Sequence, residues 1–185
     1  MINHRFHFDS IPVTPWKNAG GVTRQIAKSC PGDPFWRLSI AGVEKDGPFS
    51  GFPGLHRILT VVSGAGMTLN LPDGARPADL NIPVGFSGDV PVEGVLRDGP
   101  VQNFNLIYEA EKLVARVQVG PIDTLDFIGG ETGILCAVYC LSGSLDLNGQ
   151  ETLFAGSGIL NPTELPQPTG PETTLALHVA LGLRH

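Results

Sequence analysis

The sequence predicts an all-β protein built from two related halves. Its 185 residues include 24 Gly and 16 Pro, spread along the whole length, which suits many short strands joined by turns. Several segments alternate apolar and polar residues with a period of two, as half-buried strands do. One strand–turn–strand pattern also occurs twice. With 42% hydrophobic and 16% charged residues, the chain can bury a substantial core.

The first half contains four segments of strand-like sequence. In the segment that begins near Trp36, the alternation places Leu38 and Ile40 on one face and Arg37 and Ser39 on the other. The other three predicted strands are residues 56–62, 67–71 and 101–108, with a turn at 72–74.

Residues 107–117 fit a helix as well as two strands. Their apolar residues fall at helical spacing, and 109–113 contains good helix formers. Residues 114–119 alternate, however, and a barrel needs a returning strand at this point. We therefore predict a strand, a polar turn and a second strand.

The second half repeats the theme with strands predicted at 133–141, 145–147, 151–154 and 174–183. Two of the three cysteines, Cys136 and Cys140, lie on one face of the first of these strands. No Cys-x-x-Cys pair or zinc-type spacing is present. These features favour buried, inert thiols over a disulfide or a redox role.

A duplicated pattern suggests the architecture. An apolar strand ends in Ser-Gly at Gly64 and again at Gly143, 79 residues later, and each time an alternating strand follows. This spacing suits a small barrel domain duplicated once, and the order of elements is typical of a cupin jelly roll. We expect a bicupin: an N-terminal barrel with a ligand pocket at residues 1–115, and a degenerate barrel at 116–185.

The charge of the chain limits the kinds of partner that it can bind. The net charge of −6, from 12 basic and 18 acidic residues, disfavours nucleic acid and anionic membranes. No apolar stretch approaches the ~20 residues that span a bilayer, and the N-terminus has no apolar signal region. The expected location is the cytoplasm, and a homodimer is left open.

The histidines do not form the motif that metal-binding cupins need. None of the five stands in a His-x-His pair. His56 lies roughly where such a motif would begin, but Arg57 follows it and no carboxylate comes before Ser63. We predict no metal and no other cofactor.

Basic and aromatic residues gather before residue 60. Residues 14–24 place a Trp, a Lys, an Asn and an Arg around two glycines, which allow the backbone to approach another group closely. Arg37 and Arg57 lie in or beside apolar strands, where a charge is costly unless it is paired. Two simpler interpretations stay open: an N-terminal arm with a glycine turn, and ion pairs with Glu44, Asp46 or Asp98.

Six segments resemble, in the right order, the motifs of the HutD/Ves family. They are residues 15–24, 36–41, 46–54, 57–60, 86–88 and 97–105. The resemblance covers residues 12–106 closely and the rest only in general pattern, and Ala19 stands where members usually have Gly. It implies a bicupin fold without the usual metal ligands and an association with bacterial histidine utilisation. It also implies binding of an acidic intermediate such as a formylated or formimino glutamate.

We expect the basic residues to form a positive pocket at one barrel mouth. Arginine can bind a carboxylate in bidentate geometry, and lysine supplies a point charge. Aromatic rings can form a wall of the pocket, and asparagine amides can hydrogen-bond to the ligand. Ordinary strand-edge bonding is the simpler role for the asparagines. The predicted ligand-binding residues are Trp16, Lys17, Asn18, Arg24, Arg37, Ser39, His56, Arg57, Phe86, Asn103 and Asn105.

Three functions are compatible with such a pocket. The first, which we favour, is a sensor, buffer or regulator that binds a formylglutamate-like anion. The second is a metal-free cupin hydrolase or isomerase acting on a similar carboxylate. It needs a general base, and the candidates are few: His56, Glu44, Asp98 and, if burial lowered its pKa, Lys17. The third is a structural partner of another protein.

Overall fold

The computed structural model describes residues 4–17, 19–126, 133–147, 149, 151–162, 164–169 and 173–184. These residues form two compact units. One unit is Ile11–Glu111, and the other joins residues 4–10 to the described residues from Lys112 onward.

Regular structure in the described residues consists of strands and two short 3-10 helices, Phe8–Ser10 and Ile122–Thr124. The strands are β1 (His4–His7), β2 (Val13–Pro15), β3 (Gly21–Lys28), β4 (Trp36–Val43), β5 (Gly47–Pro48), β6 (His56–Ser63), β7 (Met67–Leu71), β8 (Gly74–Ala78), β9 (Pro83–Ser87), β10 (Glu93–Leu96), β11 (Val101–Tyr108), β12 (Leu113–Pro121), β13 (Leu135–Ser142), β14 (Ser144–Leu147), β15 (Glu151–Phe154), β16 (Ser157–Leu160), β17 (Gln167–Pro168) and β18 (Leu175–Leu183).

The unit Ile11–Glu111 contains two antiparallel sheets. The larger has the order β2-β3-β4-β11-β6-β9, and the smaller has the order β5-β10-β7-β8. Apolar side chains from both sheets form one buried cluster, with Leu59 and Val61 from β6 and Met67 and Leu69 from β7 fully buried. This shared core fixes the face of the larger sheet that looks toward the smaller one.

The other unit has the same plan with fewer strands. Its sheets run β1-β16-β13-β18-β12 and β15-β14-β17. Val138 and Cys140 of β13 pack in one cluster with Leu145 of β14 and Leu153 of β15. Here too, the core is built by apolar residues of both sheets.

The two glycines of the duplicated Ser-Gly pattern have the same structural role. Gly64 joins β6 to β7, and Gly143 joins β13 to β14, so each carries the chain from one sheet of its unit to the other. Both adopt positive φ, +94° and +74°, which glycine tolerates best. A Cβ would lie 2.5 Å from the Pro100 oxygen at the first site and 2.6 Å from the Thr174 hydroxyl at the second.

The strand predictions are confirmed at both ends of the ambiguous segment. β11 ends at Tyr108 and β12 starts at Leu113, so residues 107–117 form two strands and a turn. The helical spacing was coincidental, because the segment pairs with distant strands: β11 lies between β4 and β6, and β12 pairs with β18.

The unit that contains β12 joins two separate segments of the chain. β12 begins at Leu113 and pairs along its whole length with β18. β1 also pairs with β16, so residues 4–10 belong with the second half of the chain. Such pairing links distant segments and leaves no local signal in the sequence.

The cysteines of β13 are buried, as predicted, and all three cysteines are free thiols. Burial raises the pKa of the Cys136 thiol to about 12 and that of the Cys140 thiol to about 11. Both thiols therefore stay protonated and poorly nucleophilic at neutral pH.

Candidate functional site

A cavity of about 760 Å³ opens in the unit Ile11–Glu111. Its floor is the face of the larger sheet that carries the odd-numbered residues of β3, β4, β6 and β11. The segment from Pro48 to Phe52 forms one wall, and residues 14–17 form another. The described lining residues are Thr14, Pro15, Trp16, Lys17, Thr23, Gln25, Arg37, Ser39, Ala41, Pro48, Phe49, Ser50, Phe52, Arg57, Asn105 and Ile107.

Strand alternation and pairing bring the floor together. In the register of the sheet, Asn105 of β11 lies between Ser39 of β4 and Leu59 of β6. Arg57 and Arg37 both lie opposite Ile107 of β11. Two arginines distant in sequence therefore point into the same cavity from strands on either side of β11.

Arg57 is the most deeply buried charge of the site, with 6% of the residue exposed. Its guanidinium carbon lies 5.1 Å from the ring centres of Phe49 and Phe86 and 5.5 Å from that of Phe52. Its Nη2 donates a hydrogen bond to Asn105 Oδ1 at 3.0 Å. Aromatic faces and one amide oxygen thus replace the carboxylate that usually accompanies a buried arginine.

Arg37 lies beside Arg57 and is half-buried. Its guanidinium carbon stands 5.1 Å from the centre of the Phe52 ring, so Phe52 contacts both arginines. Within the described residues, neither guanidinium takes part in an ion pair, and the Nε atoms of both are buried without a hydrogen-bond partner. The expected alternative of ion pairs with Glu44, Asp46 or Asp98 is therefore wrong for these two arginines.

Burial lowers the pKa of both arginines, and the neighbouring charge of Arg37 adds to the effect at Arg57. Desolvation, followed by the charge of Arg37, lowers the pKa of Arg57 to about 10. Desolvation also lowers the pKa of Arg37. Both remain charged at neutral pH, so the cavity holds two adjacent cations that no described side chain neutralises. An anion would relieve this cost.

Trp16 forms a rigid part of the wall. Its Nε1 donates a hydrogen bond to Thr23 Oγ1 at 2.8 Å, and its ring meets Phe49 edge to face with centres 6.1 Å apart. Lys17, the next residue, is exposed and lines the cavity. The close approach predicted for the glycines of this segment occurs at Gly21, where an added Cβ would lie 2.1 Å from the Gly42 carbonyl oxygen.

Six of the eleven predicted site residues line the cavity: Trp16, Lys17, Arg37, Ser39, Arg57 and Asn105. Asn18 lies outside the described residues. Phe86 and Asn103 are buried behind the lining, where Phe86 stacks on Arg57 and Asn103 contacts Asn105.

Arg24 and His56 do not line the cavity. Each adjoins a lining residue on its strand, and neighbouring residues of a strand point to opposite faces. His56 instead meets the Tyr108 ring edge to face, with centres 5.7 Å apart. Burial lowers the pKa of His56, which therefore stays neutral at pH 7.

Sequence reasoning missed the two aromatic residues that cover the arginines, Phe49 and Phe52. Their backbone nitrogens donate to the Val92 and Gly88 carbonyls, each at 2.9 Å, which holds this segment over the sheet. Two phenylalanines in a stretch rich in Gly, Pro and Ser were the available signal, since loops seldom carry large apolar rings without a packing partner.

Among the described residues, no three His, Cys, Asp or Glu side chains lie together in a group that could hold a metal ion. In the same residues, no helix reaches the length and apolarity that a membrane crossing requires.

Comparison with known proteins identifies the family. A family model described as HutD matches residues 9–167. The chain belongs to the HutD family. Two relatives agree with this assignment. An uncharacterised 21.2 kDa protein in the hutC 3′ region of Pseudomonas putida is 46% identical over 112 residues, 58% of each chain. Protein Ves of Cronobacter sakazakii is 35% identical over 147 residues, which is 77% of this chain and 78% of Ves.

Solved structures agree with this assignment. HutD from Pseudomonas fluorescens SBW25, described in a formate condition, is 27% identical with a TM-score of 0.77, and the match covers all of both chains. A cupin 2 conserved barrel domain protein from Leptotrichia buccalis is 14% identical with a TM-score of 0.56, over 98% of this chain and 96% of that one. The HutD-family chain is thus an all-β protein with a cupin-like fold, and its family is linked to the histidine-utilisation operon.

Proposed function

We propose that this HutD-family protein binds a small carboxylate metabolite, a formylglutamate-like amino-acid derivative, in the cavity of the unit Ile11–Glu111. One observation carries the proposal. Lys17, Arg37 and Arg57 line a cavity whose described lining contains no Asp or Glu, in a chain with a net charge of −6. Such a local excess of positive charge attracts and holds an anion.

The chemistry of the lining favours a carboxylate that also carries polar groups. The two arginines supply planar arrays of N–H donors, which match carboxylate geometry. Thr23, Gln25 and Ser39 add uncharged hydrogen-bonding groups, and the aromatic wall covers apolar parts of a ligand. A cavity of about 760 Å³ falls within the usual range for small-molecule sites.

Membership of the HutD family supports a proposal about the wider role. We propose that the protein acts in the cytoplasm as a regulatory or accessory component of histidine utilisation, sensing or buffering its ligand. We also propose that each unit is a cupin-type jelly roll, so that the chain is a bicupin. The two-sheet plan of both units and the matched roles of Gly64 and Gly143 support this architecture.

Thermal unfolding with a panel of anions tests the binding proposal. The panel contains formylglutamate, formiminoglutamate, glutamate, urocanate and formate, with chloride salts as the ionic-strength control. A ligand at a hundredfold excess over its Kd should add about 2.7 kcal/mol of stability. The expected increase in Tm is roughly 5–10 °C. If no carboxylate raises Tm beyond the chloride control, the proposal fails.

The same samples separate binding from catalysis. After incubation, the ligand is recovered and quantified by chromatography. Full recovery of a ligand that raises Tm is expected of a sensor or buffer. Progressive loss of the ligand, in proportion to protein concentration, would replace the binding role with an enzymatic one.

Binding should hardly depend on pH near neutrality. Because the pKa of Arg57 is about 10 in the folded protein, its guanidinium keeps its proton below that pH and loses it as the pH rises further. We expect a constant Kd between about pH 6 and pH 9 and weaker binding above about pH 10. Trp16 fluorescence in a Trp36→Phe variant can report the Kd. A tenfold change in Kd between pH 6 and pH 7 would instead indicate a histidine in the site.

A further inference from the structure

Two buried asparagines on β11 continue a chain of hydrogen bonds that starts at Arg57; we call this chain the relay. Asn105 is 3% exposed and lines the cavity, while Asn103 is 1% exposed and does not. Arg57 Nη2 donates to Asn105 Oδ1 at 3.0 Å. The other end of the same amide, Asn105 Nδ2, donates to Asn103 Oδ1.

The orientation of the Asn105 amide follows from this relay. A guanidinium has only donors, so Asn105 must turn its oxygen toward Arg57 and its NH2 group away. Asn103 supplies the acceptors for that NH2 group, mainly its side-chain Oδ1 and, at the longer distance of 3.5 Å, its backbone oxygen. In doing so, Asn103 leaves its own Nδ2 buried without a hydrogen-bond partner among the described residues. An unpaired buried donor is costly, and an apolar residue would avoid that cost.

We propose that Asn103 is a positioning residue that keeps the oxygen of Asn105 at the cavity, so that the site selects carboxylates bearing an adjacent N–H or O–H donor. This inference rests on the proposed carboxylate-binding function. It assigns to Asn103 an indirect role, through Asn105, in place of the direct ligand contact that the sequence predicts.

The selectivity arises from the capacity of the Asn105 oxygen. An amide oxygen accepts two hydrogen bonds, and Arg57 supplies one. With a carboxylate held by the two arginines, a donor on the neighbouring ligand atom supplies the second. A ligand without that donor leaves a buried acceptor incompletely paired, and polar sites discriminate strongly against such ligands.

Two probes that differ at one atom test the selectivity. N-acetylglycine has an N–H next to its carboxylate-bearing carbon, and N-acetylsarcosine has an N-methyl group there. We expect the wild-type protein to bind N-acetylglycine about tenfold more tightly by calorimetry. Asn105→Leu should bring the two Kd values together. Asn103→Leu should do the same, and adding it to Asn105→Leu should change the ratio no further.

A conservative variant separates positioning from mere packing. Asn103→Asp keeps an oxygen for the Asn105 NH2 group, so it should retain the preference for N-acetylglycine. Its negative charge should weaken the binding of both probes. If Asn103→Leu does not fold, Asn103→Ala replaces it. A wild-type preference that survives in the folded Leu or Ala variant would overturn the proposal.

The side-chain amide signals of Asn105 decide the positioning role without a ligand. In NMR spectra of the unliganded protein, we expect slow solvent exchange of this NH2 group in the wild type and in Asn103→Asp. Exchange should be at least tenfold faster in Asn103→Leu. If no carboxylate of the panel raises Tm, the carboxylate-binding function fails, and these exchange rates still test the relay. Unchanged exchange in Asn103→Leu would overturn it.

Discussion

Replacing Arg57 with Met should weaken anion binding at least a hundredfold and stabilise the unliganded protein. The guanidinium is buried beside Arg37 without a carboxylate among the described residues, and its pKa of about 10 corresponds to roughly 3 kcal/mol of destabilisation in the charged form. Loss of the aromatic contacts and of the donor to Asn105 offsets part of this gain. We expect an increase of about 1–2 kcal/mol in the free energy of unfolding and a loss of at least a hundredfold in affinity.

Arg24→Met is the matched control for this variant. Arg24 belongs to the same sheet but lies outside the cavity lining, and its replacement removes the same charge. It should leave the Kd for the anion within about twofold of the wild-type value, measured by calorimetry. If Arg57→Met binds the anion as tightly as Arg24→Met does, the anion does not bind at Arg57.

Gly21→Ala should destabilise the protein severely. Its Cβ would lie 2.1 Å from the Gly42 carbonyl oxygen and 3.3 Å from the Trp16 ring, so two paired strands would have to separate beside the cavity. Backbone atoms cannot move aside as a flexible side chain can. We expect a loss of about 3 kcal/mol in unfolding free energy, or roughly 6–12 °C in Tm, measured by circular dichroism.

Gly51→Ala provides the comparison at another glycine of the same unit. An added Cβ there would meet only the Gly88 oxygen at 3.7 Å, an ordinary contact distance. Its unfolding free energy should stay within about 0.5 kcal/mol of wild type. Equal stability of the two alanine variants would mean that β3 and β4 do not approach as closely at Gly21 as described.

The sequence predicted well the features that depend on local periodicity. Alternation along β4 placed Arg37 and Ser39 on one face and Leu38 and Ile40 on the other, and the structure has the first pair in the cavity and the second pair buried. The same rule already shows that His56 and Arg57 cannot face the same side.

The family assignment also came from the sequence. The motifs between residues 15 and 105 are linear, and their residue types and spacing can be read without a structure. They correctly indicated HutD, and the match extends over residues 9–167.

Pairing between strands distant in sequence determined the features that the sequence did not predict. β1 joins β16 across most of the chain, and this moves residues 4–10 into the second unit. Phe49 and Phe52 become part of the site because backbone bonds to Val92 and Gly88 hold their loop over the arginines. Local sequence by itself determined which residues could share a face, because side-chain direction along a strand is a local property. Only the tertiary structure decided which faces meet, because hydrogen bonds and packing between distant segments determine strand partners.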